Sequence, residues 1–140
     1  KISELSLENI LFMGEISKKY IPNILSKANL NLMHYRSSSL NKYGQSQNKL
    51  FEYLAAGKPI VQTYPNKYSV LSKFKAGIVV EKQDVNLVYL AIKSLYNNDD
   101  LSQELSLNAV SASKQFDFKT LTDQLIKIIL IQPCLVNVNN

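Results

Sequence analysis

The sequence contains little cysteine, glycine or proline. Its 140 residues include one cysteine, four glycines and four prolines, and no charged leader followed by an apolar stretch opens it. The lone Cys134 cannot form a disulfide within the chain, which argues against a disulfide-stapled secreted domain. The cysteine count and the opening segment therefore predict a reducing, cytoplasmic setting.

Long hydrophobic runs are also absent. The apolar run at residues 128–131 is separated by Gln132 and Pro133 from a second apolar stretch, and no run in the sequence is long enough to span a bilayer. With 46% apolar residues and no low-complexity tract, the composition is typical of a folded globule with an ordinary core. We expect one domain over residues 1–140, and its abrupt beginning at Lys1 suggests a piece of a longer protein.

The net charge is basic. A formal charge of +5 and a pI near 9.2 suit anionic partners such as nucleotide diphosphates, acidic lipid head groups or nucleic acid. The lysines are scattered and no nucleic-acid-binding motif is present, so we predict no nucleic-acid partner. No basic amphipathic helix stands out, so the only membrane contact that we expect is a peripheral one with anionic lipid.

Short apolar runs alternate with helical patterns along the chain. Strands are predicted at residues 9–13, 30–33, 60–63 and 78–80. Helices are predicted at residues 20–28, 46–57, 68–75, 85–96, 100–115 and 118–131. Strands that alternate with helices form a parallel sheet with helices on both faces, so the predicted fold class is α/β with about four strands.

The stretch at residues 46–60, SQNKLFEYLAAGKPI, is the most informative one. Ser46 can cap a helix and Gly57 can adopt the left-handed conformation that ends one, so about three helical turns fit between them. Its helical spacing gives a polar face and an apolar face, formed by Asn48, Lys49, Glu52 and Ala55 on one side and Leu50, Phe51 and Leu54 on the other.

A polar loop at residues 34–45 leads from a predicted strand into this helix. Ligands bind at the carboxyl ends of strands in open α/β sheets, and the free N–H groups of a helix N-terminus can hold phosphate. Lys49 adds a cation in the first turn, so a diphosphate is the predicted ligand. Two readings remain open for His34 and Arg36, because each either contacts the substrate or is an ordinary loop residue.

The stretch at residues 46–60 resembles the donor-binding helix of GT-B nucleotide-sugar glycosyltransferases, in particular glycosyltransferase family four, or glycosyl transferases group one. The block from the predicted first strand through Gly14 to the next helix also resembles this family. The resemblance covers most of the chain, and it implies a Rossmann-like sheet that forms the later part of the C-terminal half of a GT-B fold. The N-terminal acceptor domain and the first units of the donor half would then lie upstream.

The resemblance implies a role for three groups of residues. The carboxylate of Glu52 would bind the donor ribose, and the backbone of Gly14, Glu15 and Ile16 would face the donor base. The donor phosphates would lie at Ser46, Gln47, Asn48 and Lys49. No catalytic side chain is assigned, and we expect neither a metal nor a cofactor besides the substrate, a nucleotide-diphosphate sugar.

One position departs from the family pattern. Many members carry a second glutamate eight residues before the ribose-binding one, where it lies near the donor sugar. In this sequence Gly44 occupies that position. The contacts to the donor sugar are therefore left open.

The function implied by the resemblance is transfer of a sugar from a nucleotide-diphosphate sugar to an acceptor sugar or lipid-linked sugar. The pathway would be cell-surface polysaccharide or glycolipid biosynthesis at the inner face of the membrane, and UDP-sugars are favoured by family frequency alone. The chain by itself should bind better than it catalyses. The alternative is a non-catalytic nucleotide-binding or interaction module, whereas a receiver-like domain would need an acidic cluster at a strand end.

Overall fold

The computed structural model of the protein describes residues 7–35, 38–39, 43, 47–64 and 68–131. Within these residues lie three strands, namely β1 (Asn31–Met33), β2 (Ile60–Gln62) and β3 (Gly77–Val79). The helices of the same residues are α1 (Ile21–Lys27), α2 (Asn48–Ala55), α3 (Val70–Phe74), α4 (Val85–Tyr96), α5 (Asp99–Gln115) and α6 (Phe118–Ile131). A 3₁₀ turn at Lys18–Tyr20 precedes α1.

The strands form a parallel sheet in the order β1-β2-β3. Leu32 is in register with Val61, which is in register with Ile78. All three residues of the central strand β2 are buried, as expected for a parallel strand covered on both faces.

Consecutive residues of β2 point into two different apolar clusters. Ile60 packs with Leu54 of α2 and Leu71 of α3, whereas Val61 packs on the opposite face with Ala91 and Leu95 of α4. Helix α5 contributes to both clusters, with Leu105 in one and Ala109 and Ala112 in the other. The predicted parallel sheet with helices on both faces is therefore confirmed.

The ends of several helices agree with the capping residues in the sequence. The Asp84 carboxylate accepts from the N–H groups of Asn86 at 2.7 Å and Leu87 at 3.2 Å, which starts α4 at the predicted residue. Asn98 caps α5 in the same way by accepting from Leu101 N–H. Among the described residues, no helix is both long enough and apolar enough to cross a membrane.

The strand predicted at residues 9–13 is wrong. Leu11, Phe12 and Met13 have no regular secondary structure, and their exposed fractions are 80%, 75% and 63%. A strand requires a paired neighbour for its backbone N–H and C=O groups, and in the described residues β1 pairs only with β2. The described part of the sheet therefore has three strands, not the four expected.

The backbone of β2 lies so close to Gly77 that a side chain at this position should disturb the sheet. A Cβ atom at this position would lie 2.3 Å from the carbonyl oxygen of Ile60 on β2. Gly77→Ala must therefore push β3 away from β2, and we expect it to lower the free energy of unfolding by about 3 kcal/mol. Urea denaturation of the wild-type protein and of the Gly77→Ala variant measures this difference.

Gly14 provides the matched control. It has a φ of +67°, but no heavy atom lies within 4 Å of a Cβ built there. Gly14→Ala should therefore cost only the left-handed backbone strain, about 1 kcal/mol. Equal losses of stability in the two variants would contradict the close approach of β2 and β3.

Candidate functional site around helix α2

Helix α2 presents its polar face outward, as predicted. Leu50 and Leu54 are buried against the sheet, whereas Asn48, Lys49 and Glu52 are exposed. Gly57 follows the helix with a φ of +64°, and its N–H donates to the Leu54 carbonyl at 3.1 Å. The left-handed glycine ends the helix as the sequence indicated, because other residues rarely adopt this conformation.

The N-terminus of α2 begins at Gln47, which is the N-cap residue in the structure. The predicted N-cap, Ser46, lies outside the described residues. The Gln47 side chain makes no capping bond, and its Oε1 atom accepts a hydrogen bond at 3.1 Å from the hydroxyl of Tyr64. The first N–H groups of an α-helix have no acceptor within the helix, so those of Asn48 and Lys49 remain available to a ligand.

A cavity of about 400 Å³ lies between α1 and α2. We call it the α1–α2 cavity, and its lining residues are Lys18, Ile21, Pro22, Leu25, Ser26, Glu52, Ala55 and Ala56. Most of its lining residues are apolar, and the two charged ones are Glu52 of α2 and Lys18 of the 3₁₀ turn. Apolar walls with a few polar groups are typical of small-molecule sites.

The segment that was predicted to face the base shortly precedes the first lining residue of this cavity in the sequence. Gly14 and Glu15 are exposed and Ile16 is half-buried, and all three precede the 3₁₀ turn. The lining of the α1–α2 cavity begins at Lys18, two residues after Ile16. The structure thus brings Glu52 to this cavity but does not place Gly14, Glu15 or Ile16 in its wall.

Lys49 lines a second cavity, which is smaller than the one that Glu52 lines. This β1–α2 cavity has a volume of about 110 Å³ and is lined by Leu32, Met33, His34, Tyr35, Lys49 and Tyr53. Residues three apart on a helix point in directions about 60° apart, so Glu52 and Lys49 occupy neighbouring arcs of the same polar face. Sequence reasoning placed both residues on this face, but it did not divide the face between two cavities.

His34 is held by a hydrogen bond across the sheet. Its Nδ1 atom lies 2.6 Å from the Oγ1 atom of Thr63, which follows β2 and is buried. His34 also lines a third cavity, of about 200 Å³, with Leu32, Thr63, Gln83, Asp84, Val85 and Val88. These contacts lie at the carboxyl ends of β1 and β2, the edge where the sequence predicted a ligand.

The described residues contain no cluster of three or more histidine, cysteine, aspartate or glutamate side chains that could hold a metal ion. His34 and Glu52 line separate cavities. The chemistry that the site offers is therefore hydrogen bonding and charge: a carboxylate, an ammonium group, an imidazole and free helix N–H groups.

Tyr64 supports the site from the interior. Its side chain is buried, and its ring meets that of Tyr35 edge to face at a centroid distance of 5.5 Å. Burial, together with the neighbouring Tyr35, raises the pKa of Tyr64 from 10.0 to about 12. The neutral phenol is thus the form that can donate to Gln47.

The pH dependence of stability should reveal this buried phenol. The folded-state pKa of Tyr64 is above the unfolded value, so its stabilising contribution is complete below pH 10 and is lost as the pH rises toward about 12. Tyr64→Phe should lower the free energy of unfolding at pH 7 by about 1 kcal/mol. Denaturant titrations at several pH values should then show a smaller loss of stability above pH 10 in this variant. An unchanged loss would contradict the assignment.

The sequence of this chain is similar to those of known proteins. A model of the family described as glycosyl transferases group 1 matches residues 1–98. A candidate teichuronic acid biosynthesis glycosyltransferase, TuaH of Bacillus subtilis (strain 168), is 28% identical over 130 residues, which cover 91% of this chain and 32% of that protein.

A solved structure shows the same fold. Sucrose-phosphate synthase from Thermosynechococcus elongatus matches with a TM-score of 0.72 at 19% identity, over 91% of this chain and 31% of that one. The chain therefore spans about a third of the length of these two proteins. The family match covers most of the chain and the fold agrees with it, so this chain belongs to the glycosyl transferases group 1.

Proposed function

We propose that this chain is the donor-binding domain of an enzyme that transfers a sugar from a nucleotide-diphosphate sugar to an acceptor. The observation that supports this most directly is the arrangement on α2. The helix presents a carboxylate to a largely apolar cavity of nucleoside size, while its N-terminus leaves N–H groups available one turn away. A nucleotide diphosphate has the same sequence of parts: an apolar base, a ribose with two hydroxyls, and an anionic end.

The nucleoside would occupy the α1–α2 cavity. Its base would lie against the apolar side chains of Ile21, Pro22 and Leu25. The Glu52 carboxylate is a hydrogen-bond acceptor without a proton to donate, so it suits the two ribose hydroxyls, which are donors. UDP is our preferred nucleotide, because of its frequency in the family.

The diphosphate would lie at the N-terminus of α2. From Glu52 back to Asn48 the helix rises by about 6 Å, roughly the span from a ribose ring to its phosphates. The N–H groups that follow Ser46 and Gln47, and the ammonium group of Lys49, would neutralise the anion. The same groups would stabilise the diphosphate as it leaves, so catalysis here needs neither a metal nor a further cofactor.

The acceptor would bind outside this chain, since the chain spans only about a third of the proteins that it resembles. We propose an N-terminal acceptor domain and an active site in the cleft between the two. The acceptor would be a sugar or a lipid-linked sugar in cell-surface polysaccharide or glycolipid assembly, as the name of the Bacillus subtilis relative suggests. A cytoplasmic enzyme that contacts the anionic inner face of the membrane fits the net charge of +5.

Glu52→Gln tests the ribose assignment. The amide keeps the shape of the side chain but loses the charge that strengthens hydrogen bonds from ribose, so we expect the intact protein to bind UDP at least about tenfold more weakly. Isothermal titration calorimetry measures this affinity. The control is Glu104→Gln, which makes the same change at an exposed position on α5. Equal affinities of the two variants for UDP would contradict the assignment.

Ala55→Trp tests whether the nucleoside binds in the α1–α2 cavity, because the larger side chain would fill it. Ala55 is exposed on α2 and lines the α1–α2 cavity, so an indole should fill the cavity without disturbing the core. We expect UDP binding to fall by at least about tenfold while the Tm stays within a few degrees. Undiminished binding in this variant would place the nucleotide elsewhere and contradict the assignment of the α1–α2 cavity.

A further inference from the structure

The imidazole ring of His34 has no role in the proposed nucleotide site as described so far. The residue follows β1, and its Nδ1 atom contacts the Thr63 hydroxyl at 2.6 Å. The buried Thr63 is fixed in turn, because its backbone N–H donates to the Met33 carbonyl at 3.0 Å. The imidazole ring is therefore oriented by a buried residue at the carboxyl end of β2.

The distances indicate which ring nitrogen carries the proton. The Thr63 hydroxyl has one proton and two neighbouring acceptors, His34 Nδ1 at 2.6 Å and the Met33 carbonyl at 3.3 Å. The contact with Nδ1 is the shorter of the two, and it has the length of a bond with a hydroxyl donor. We assign the hydroxyl proton to the bond with Nδ1. The neutral imidazole then carries its own proton on Nε2, which is a donor.

The β1–α2 cavity gathers several donors in a small volume. The Lys49 ammonium group, the His34 imidazole and the phenols of Tyr35 and Tyr53 all belong to residues that line its 110 Å³. None of the described residues that line it carries a carboxylate. The Asp84 carboxylate lies with His34 in the neighbouring cavity on the other side, where its Oδ1 atom accepts the N–H groups of Asn86 and Leu87.

We propose that His34 and Lys49 together bind the terminal phosphate of the nucleotide diphosphate in the β1–α2 cavity. This inference rests on the proposed function, and it adds a residue that recognises the second phosphate. Glu52 and Lys49 line neighbouring cavities along α2, so one nucleotide can reach both, with its ribose at Glu52 and its terminal phosphate at Lys49. His34 then distinguishes nucleoside diphosphates from nucleoside monophosphates.

The test compares the affinities of the intact protein for UDP and UMP by calorimetry. His34→Ala should weaken UDP at least about tenfold, the effect of one hydrogen bond to a charged group, and leave UMP within about twofold. Thr63→Val, which keeps the side-chain shape but removes the hydroxyl that orients the ring, should lower the ratio of UDP to UMP affinity in the same direction. His34→Gln retains an N–H donor and should restore part of the ratio.

The ratio of affinities separates this proposal from the function on which it rests. A general loss of structure would weaken both nucleotides and leave the ratio unchanged. If UDP binds and Glu52→Gln weakens it, but His34→Ala and Thr63→Val keep the wild-type ratio, the His34 assignment is overturned while the donor site stands. If the intact protein binds neither UDP nor GDP, the proposed function fails and this assignment fails with it.

Discussion

The packing of α2 against the sheet is the constraint on which the rest of the site depends. Leu50 and Leu54 are almost fully buried in the cluster that also holds Ile60 of β2. Each buried leucine contributes about 2 kcal/mol, so this face of the helix cannot turn outward without a large loss of stability. The orientation of Lys49 and Glu52 toward their cavities follows from the burial of the opposite face.

Gly57 fixes the other end of the same helix. Its φ of +64° turns the chain from α2 toward β2, and a Cβ atom there would lie 2.8 Å from a side-chain methyl of Val110 on α5. Because α5 also packs against α2, the glycine sets how closely these two helices approach. Gly57 thus ends α2 and turns the chain toward the central strand. It also permits the close contact between α2 and α5 that holds α2 in place.

Under the proposed function, the two cavities on α2 would divide the recognition of one nucleotide between two chemical environments. The α1–α2 cavity is mostly apolar and offers one carboxylate, which suits a base and a ribose. The β1–α2 cavity is smaller and offers donors, which suit phosphate. A single helix, with Glu52 at the first cavity and Lys49 at the second, would then bind a nucleotide along its length. The same arrangement would allow this chain to hold a donor while the acceptor binds elsewhere.

Much of the fold could be predicted from the sequence because its signals are local. The Asp84 cap, the apolar spacing of residues 85–96 and the glycine after α2 are decided by side chains and backbone angles within a few residues of each other. The polar face of α2 was predictable for the same reason. Glycosyl transferases group 1 was also identified from this short stretch, and the family match confirms that identification.

The errors concern long-range pairing. Residues 9–13 have the apolar content of a buried strand, but a strand forms only where a neighbouring edge is available, and no local pattern reports this. The role of His34 was left open because its partner, Thr63, is 29 residues away. The α1–α2 cavity could not be predicted from α2 alone either, since its second wall comes from α1. The cap was predicted at Ser46, one residue before Gln47, which is the N-cap residue of α2 in the structure.

A structure of the intact protein with UDP bound would test the central claim most directly. The account predicts a uracil ring between α1 and α2, ribose hydroxyls within hydrogen-bonding distance of the Glu52 carboxylate, and phosphates at the N-terminus of α2. A nucleotide that lay instead on the far side of β1, among Gln83, Asp84 and Val88, would contradict the account. The same result would mean that the outward face of α2 has another role.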